Sequence, residues 1–145
     1  MRPEQFEGAE FLGGRLSQQS HPDRLRLFTR HLAEGERVRA VMPLKNSVLL
    51  VTQERLLELA PHLEAHGAWN VMGFQGFDLV SQMTAAGVAL DEEAAPEGPG
   101  TQGRLVLRLR SGHEEMAVIT EVAGESTRNS LVRLREILAS PPHPK

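Results

Sequence analysis

The sequence predicts an α+β fold, and three observations carry that prediction. Helical periodicity occurs near the beginning and at the end of the chain, whereas the residues between alternate or form short apolar runs typical of strands. Polar breaks between paired apolar runs indicate tight hairpins. A chain of 145 residues is also a natural length for one domain with one core. We therefore expect a meander of antiparallel strands with a helix at each end.

The first predicted element is a helix in residues 20–36, which read "SHPDRLRLFTRHLAEGE". Ser20 suits the N-cap, and Gly35 suits the position just past the last turn. Leu25, Phe28 and Leu32 recur at helical spacing and make one apolar stripe. The preceding residues 1–19 are interpreted as an N-terminal extension outside the domain, and the sequence leaves open whether they are flexible or ordered.

The spacing of the apolar residues then changes to the two-residue repeat of a strand. In residues 37–44, "RVRAVMPL", apolar residues occupy alternate positions, as in a half-buried strand. Pro43 cannot donate a ladder hydrogen bond, so it is expected at an edge or at the end of the strand.

The stretch "SVLLVTQERLLEL", Ser47 to Leu59, allows either one buried helix or two paired strands. A helix would place its apolar residues around most of the circumference and would have no cap. Residues 52–55 form one polar break between two apolar runs, which favours a hairpin turning at Gln53–Glu54. Pro61 is expected to end the second strand, and "PHLEAHG" could then make one helical turn ending at Gly67.

The second half of the chain predicts a further hairpin after an ambiguous segment. Residues 71–83 are compatible with a strand or a short helix, and the Gly- and Pro-rich acidic residues 91–103 predict a mobile exposed loop. Alternating leucines and arginines in residues 104–110 predict a strand. The residues "SGHE" supply a turn, and the strand beginning near Met116 returns.

The last predicted element is an amphipathic helix in "ESTRNSLVRLREILAS" with Ser126 as its cap. Its apolar stripe comprises Leu131, Leu134, Ile137 and Leu138. Pro141 should stop this helix, and residues 140–145 are expected to be frayed.

Composition and charge exclude several classes of function. The chain has no cysteine, which excludes disulfides, thiolate metal sites and cysteine nucleophiles. The most basic block, residues 20–45, holds six basic and three acidic groups, too few for a nucleic-acid footprint. Aromatic residues make up only 4%, so base-stacking platforms are not expected. No signal peptide or membrane-spanning run is evident, and we expect a cytoplasmic protein.

The chain resembles bacterial pleckstrin-homology-like domains and their GRAM relatives over about residues 20–139. Those domains often begin with an apolar residue and "GE", and continue with a strand ending in Thr, a turn, and Arg before two apolar residues. The matching residues here are Leu32, Gly35, Glu36, Thr52, Arg55, Leu56 and Leu57. The resemblance implies a single domain, an antiparallel β-barrel of two packed meander sheets with an N-terminal helix and a C-terminal capping helix.

Few residues suggest binding chemistry. His62 and His66 would share one face of a helix, a spacing that zinc sites use, but a third ligand is not evident and a solvated loop is the simpler interpretation. We predict no catalytic residues and no cofactor. Basic side chains that could contact an anion or an acidic partner are Arg37, Arg39, Lys45, Arg104, Arg108 and Arg110. The simplest interpretation of the last three is a solvated strand face.

These observations support three hypotheses of function. The preferred one is a non-catalytic bacterial pleckstrin-homology-like module that acts by protein–protein contact, with itself or with another protein. The second is a peripheral module that binds an anionic membrane, although the turn "PLKNS" supplies only Lys45 where lipid-binding relatives place several basic residues. The weakest is a metal-dependent enzyme centred on His62 and His66.

Overall fold

The hairpin interpretation of Ser47–Leu59 is confirmed by the computed structural model of the chain. Strand β3 (Val48–Thr52) turns at Gln53–Glu54 and pairs antiparallel with β4 (Arg55–His66), with Leu50 opposite Leu57. The structure describes residues 3–13, 22–66, 71–95, 98, 103–122 and 124–140; for residues 22–23, 62–66 and 71–75 it describes the backbone alone.

The described residues form two sheets and two α-helices, so the α+β class is confirmed. One sheet has five strands in the order β1-β2-β3-β4-β5, and the other has three in the order β6-β7-β8. Within the first sheet β1 is parallel to β2, and all other neighbouring pairs are antiparallel. The remaining elements are β1 (Glu10–Phe11), α1 (Pro22–Thr29), β2 (Val38–Pro43), β5 (Val71–Thr84), β6 (Ala89–Ala94), β7 (Leu105–Ser111), β8 (Glu114–Ile119) and α2 (Glu125–Ala139).

The five-stranded sheet is buried on both faces, which explains the uninterrupted apolar run of β3. Successive side chains of a strand point to opposite faces, and all five residues of β3 are buried. Leu49 and Val51 belong to the core between the two sheets and α2, whereas Val48 and Leu50 belong to a second core on the other face. That second core is covered by α1 and by the N-terminal segment.

The prediction that residues 1–19 lie outside the domain was wrong for residues 3–13. Phe6 is 0% exposed and its ring lies 6.2 Å from that of Phe28, centroid to centroid. Glu10 and Phe11 add a parallel strand to β2, and Gln5 donates hydrogen bonds to the carbonyls of Ala33 and Glu36. These contacts are tertiary and have no periodic signature in the sequence, so periodicity could not reveal them.

The two sheets meet at two places. Leu44, which follows β2, makes an isolated bridge with Thr120, and the N–H of Lys45 donates to the carbonyl of Ile119 at 2.9 Å. Near the other end of β8, the Glu114 carboxylate accepts hydrogen bonds from the N–H and hydroxyl of Thr84. Among the described residues these contacts join the sheets without a continuous ladder, and no closed barrel is found.

Three predictions about β4 and α1 need correction. Pro61 does not end β4, because β3 reaches only as far as Leu59, so beyond that point the missing N–H of proline faces no strand on that side. The "PHLEAH" segment is accordingly strand and not a helical turn, and Gly67 and Ser20 lie outside the described residues. Helix α1 ends at Thr29, well before Gly35, because the N–H of Ala33 donates to the Glu36 carboxylate.

The second half of the chain also departs from prediction in places. Residues 71–83 are strand, and residues 91–94 of the predicted acidic loop pair with β7 as part of β6. The β7–β8 hairpin is confirmed, with Gly112 at φ 61°, where glycine is favoured. Helix α2 is confirmed together with its apolar stripe, but its N-cap is Gly124 and not Ser126. The first turn is held instead by the Thr127 hydroxyl, which donates to the carbonyl of Val122 at 2.9 Å.

Candidate functional site

Three of the seven residues that carry the resemblance, Glu36, Thr52 and Arg55, meet at one ion pair whose carboxylate is buried. Glu36 is 0% exposed, and Arg55 forms two hydrogen bonds with its carboxylate, from Nε to Oε2 at 2.9 Å and from Nη2 to Oε1 at 3.0 Å. The Thr52 hydroxyl donates to Oε2 at 2.7 Å, and the N–H of Ala33 donates to Oε1 at 2.8 Å. Every oxygen of the carboxylate is therefore satisfied, as a buried charge requires.

Electrostatics keep Glu36 charged. Burial raises the pKa of its carboxyl, but the hydrogen bonds from Arg55, Ala33 and Thr52 outweigh that effect, and the pKa lies below its ordinary value. The same partnership raises the pKa of the Arg55 guanidinium. The pair is thus ionised at neutral pH.

Arg55 of β4 also contacts the segment after α1 and strand β5. Its Nη2 donates to the carbonyl of His31, just after α1, at 2.6 Å, and its Nη1 donates to Oε1 of Gln82 on β5 at 2.8 Å. The Thr52 hydroxyl accepts the N–H groups of Glu54 and Arg55 and so closes the β3–β4 turn. The Glu36 carboxylate and the Thr52 hydroxyl are thus satisfied within the fold, and Arg55 ties the β3–β4 turn to the loop after α1 and to β5.

The predicted arginine stripe on the three-stranded sheet is paired with acidic neighbours. Arg108 forms an ion pair with Glu93, and the Nε of Arg110 lies 3.5 Å from Oε1 of Glu115. Arg104 donates to the carbonyl of Thr120 at 3.2 Å. Glu93 of β6 and Glu115 of β8 therefore pair with two of the three arginines on a face that the sequence alone presented as basic.

The other basic candidates lie in three separate places. Arg37 is exposed and lies 3.7 Å from a carboxylate oxygen of Glu7. Arg39 donates from Nη2 to the carbonyls of Ile137 and Ser140, both at 2.9 Å, and so caps the C-terminal end of α2. Lys45 lines a groove, and the three side chains, as the structure describes them, do not form a common anion site.

That groove lies between α1, the β2–β3 turn and the β4–β5 pair, and has a volume of about 430 Å³. We call it the basic groove, because the charged side chains among its described lining residues are Arg24 and Lys45. Its described lining residues are Arg24, Leu44, Lys45, Asn46, Ser47, Val48, Pro61 and Phe77. A second depression, of about 610 Å³ beside the first turn of α2, has Glu125 as the one charged side chain among the lining residues that the structure describes.

The sequence did not identify Arg24 as a residue that lines the same groove as Lys45. Its guanidinium carbon lies 5.5 Å from the centroid of the Phe77 ring, a cation–π geometry. Phe77 in turn packs on Phe28, with ring centroids 4.6 Å apart. The sequence did indicate that Arg24 lies on the polar face of a helix whose Leu25 and Phe28 pack on the sheet. It could not indicate which strands lie next to Arg24, because that depends on the tertiary structure.

β5 is the longest terminal strand of a sheet in the described part of the chain. The Phe77 carbonyl of β5 lies 2.8 Å from Nε2 of His31, and near Thr84 the strand is hydrogen-bonded to the other sheet. A bulge places Val80 opposite no residue of β4, since Leu79 pairs with Leu59 and Ser81 pairs with Glu58. Leu79 and Val80 are 40% and 56% exposed, two adjacent apolar side chains at this edge.

The outer edge of β6, by contrast, is covered. Arg135 of α2 donates to the carbonyl of Leu90 at 2.7 Å and to Oε2 of Glu92 at 2.6 Å. A charged side chain seated on an edge carbonyl discourages the addition of another strand. The two sheet edges therefore differ in their readiness to pair with a partner.

The metal hypothesis assumed that His62 and His66 share one face of a helix, and the structure does not have that helix. His62 and His66 lie in β4, so the helical spacing that would have brought them onto one metal does not exist; four residues of strand span about 13 Å. Among residues whose side chains the structure describes, no group of three metal-ligating side chains comes together.

Comparison of the chain with protein-family models, with curated proteins and with solved structures found no match. Within the described ranges, neither α-helix combines the length and the apolar composition that crossing a bilayer requires.

Proposed function

We propose that this chain is a non-catalytic pleckstrin-homology-like module that works by binding protein. The order of elements supports the proposal, since two mainly antiparallel sheets are followed by a C-terminal helix that packs into the core that both sheets share. The motif residues support it as well, because Glu36 is 16 residues from Thr52 and 19 from Arg55 and meets both in one centre. We further propose that the two sheets and α2 enclose a pleckstrin-homology-like barrel with interrupted seams.

The observation that carries the binding proposal is the open edge of β5 with Leu79 and Val80 exposed beside it. An unpaired edge offers backbone donors and acceptors, and adjacent apolar side chains add contact area that a partner can bury. A second copy of the chain can use this edge as well as a different protein can, since two edges related by a twofold axis pair antiparallel.

Binding to an anionic membrane has less support. Clusters of about four to eight basic residues are typical of proteins that bind such surfaces. Here Arg108 and Arg110 pair with Glu93 and Glu115, and Arg39 is used at the end of α2. These three arginines thus form contacts within the molecule.

The test compares the wild-type chain with Val80→Lys in sedimentation velocity and in capture of proteins from lysate. We expect a self-association or a captured partner that Val80→Lys removes, because a charge on an open edge prevents strand addition. Val132→Lys is the matched control, since Val132 is 60% exposed on α2, away from the edge.

A monomer at all concentrations that captures nothing specific contradicts the proposal. So does a complex that Val80→Lys leaves intact. Vesicles containing anionic lipid, mixed with the chain at low salt, test the membrane hypothesis in the same series, and salt-sensitive sedimentation with them would favour that hypothesis instead.

A further inference from the structure

The open part of the β5 edge is limited at both ends by hydrogen bonds. The carbonyl of Phe77 accepts a hydrogen bond from Nε2 of His31 at 2.8 Å. The N–H of Thr84 donates to the Glu114 carboxylate of the other sheet. A strand added from outside can therefore use neither of these two backbone groups. We define the edge window as residues 79–82, which lie between them.

Two residues of the edge window direct their backbone groups outward. In an antiparallel ladder, successive residues point their N–H and C=O alternately towards one neighbouring strand and away from it. The carbonyl of Phe77 points outward, and Leu79, two residues on in unbroken register with β4, does the same. The N–H of Thr84 points outward, and so therefore does that of Gln82. Among the described residues, the outward backbone groups of Leu79 and Gln82 have no hydrogen-bond partner.

The bulge in the edge window favours a second copy of β5 over a regular strand. β5 uses residues 79–82 where β4 uses only residues 57–59, so Val80 has no opposite residue. A regular strand added on the outer side meets the same mismatch. A second β5 running antiparallel matches the window residue for residue, with Leu79 of one copy opposite Gln82 of the other and Val80 opposite Ser81.

The charge of the edge window also suits pairing with itself. Its four residues, Leu79, Val80, Ser81 and Gln82, are all uncharged, so a twofold axis brings no like charges together. Recognition of a different protein commonly draws on complementary charges, and the window offers none. Val80 of each copy lies next to the axis, where its side chain, 56% exposed in the single chain, leaves contact with water.

We propose that two copies of the chain pair through the edge window, antiparallel about a twofold axis that passes between Val80 and Ser81. The dimer rests on the protein-binding function proposed above and names the partner of that edge. The hydrogen bonds of Phe77 and Thr84 end the intermolecular ladder on both sides, and the twofold axis uses up both open edges. The assembly therefore closes as a dimer and does not grow into a filament.

Disulfide cross-linking tests the dimer directly, because the chain has no cysteine of its own. Val80→Cys places one thiol beside the axis, and mild oxidation with copper phenanthroline should convert it to a covalent dimer. Val132→Cys carries its thiol at a comparably exposed position on α2 and should give several-fold less dimer at the same concentration. Added salt should leave the yield of the Val80→Cys dimer unchanged, because no charge acts in the window.

A mixture of two further variants tests the register. Leu79→Cys and Gln82→Cys should form the mixed disulfide in preference to either self-dimer, since opposite residues of an antiparallel pair lie within disulfide reach. Self-dimers of each variant in equal or greater yield would contradict the proposed axis.

The remaining outcomes separate this dimer from the broader proposal. The dimer is excluded if Val80→Cys and Val132→Cys cross-link equally, or if the wild-type chain sediments as a monomer at every concentration. A monomer that captures a different protein, lost on Val80→Lys, excludes the second copy as partner and leaves the protein-binding function standing. A monomer that captures nothing excludes both.

Discussion

Two groups of charged residues, both prominent in the sequence, have opposite roles in the structure. The Glu36–Arg55 pair is at the centre of the fold, where the carboxylate is 0% exposed and accepts four hydrogen bonds. Arg108 and Arg110 lie on an outer sheet face, each beside a glutamate that is itself half exposed. The comparison teaches that burial and the number of hydrogen-bond partners decide how much a charged residue contributes to the stability of the fold. Its place in a motif or a stripe does not decide this.

The largest effect is expected from Arg55→Ala. Removing the guanidinium leaves the buried Glu36 carboxylate without its ionic partner, and breaking a buried pair in this way typically costs about 3–5 kcal/mol of unfolding free energy. Urea unfolding followed by circular dichroism measures the change. A loss below about 1 kcal/mol would mean that the carboxylate finds water or another partner, contrary to this account.

The second prediction concerns acid. The pKa of Glu36 is lowered in the folded state, so its contribution to stability is complete above the unfolded pKa of about 4.3 and is lost as the pH falls through the lower folded value. Wild type should therefore lose unfolding free energy more steeply below about pH 5 than Glu36→Gln does.

Urea titrations of both proteins at several pH values test this difference. Glu10 and Glu114, whose pKa values are also lowered, are present in both proteins. They make the free energy of unfolding depend on pH in the same way in both. Parallel curves for wild type and Glu36→Gln would contradict the assignment of Glu36 as an ionised, internally bonded group.

Arg39 is an intermediate case, since it is half-buried and donates to two carbonyls at the end of α2. Arg39→Ala should cost about 1–2 kcal/mol, the range for hydrogen bonds made by a charged group. It should also speed hydrogen exchange at the last amides of α2. Arg37→Ala removes an exposed arginine two residues away and serves as the control; equal effects of the two substitutions would contradict the capping role.

The smallest effect is expected from Arg108→Ala. Exposed ion pairs contribute little to the free energy of unfolding because solvent screens them and both side chains lose freedom. Thermal unfolding should therefore change little, and the change should shrink further at high salt. A loss comparable to that of Arg55→Ala would show that the outer face contributes to the stability of the fold.

The surfaces left for binding differ from those that the sequence pointed to. The open edge of β5 presents Leu79 and Val80, and neither was among the predicted contacts. The outer edge of β6, another terminal strand, is covered by Arg135. The proposed protein-binding role therefore concentrates on the outer edge of β5.

Local signals in the sequence predicted much of the fold. The polar break at Gln53–Glu54 defined the hairpin because a turn needs only neighbouring residues, and the stripe of α2 was equally local. Phe6 and Pro61 were misjudged for the opposite reason. One is buried only because α1 folds over it, and the other is tolerated in a strand only because β3 is shorter than β4. The basic groove joins Arg24 to Lys45 and Phe77, a combination that no local pattern encodes.

A pair of double-mutant cycles tests the central claim most directly. One cycle combines Glu36→Gln with Arg55→Gln, and the other combines Glu93→Gln with Arg108→Gln, each measured by urea unfolding. The account predicts a coupling energy of about 2–3 kcal/mol for the buried pair and a much smaller one for the exposed pair. Equal coupling energies, or a larger value for Glu93 and Arg108, would contradict it.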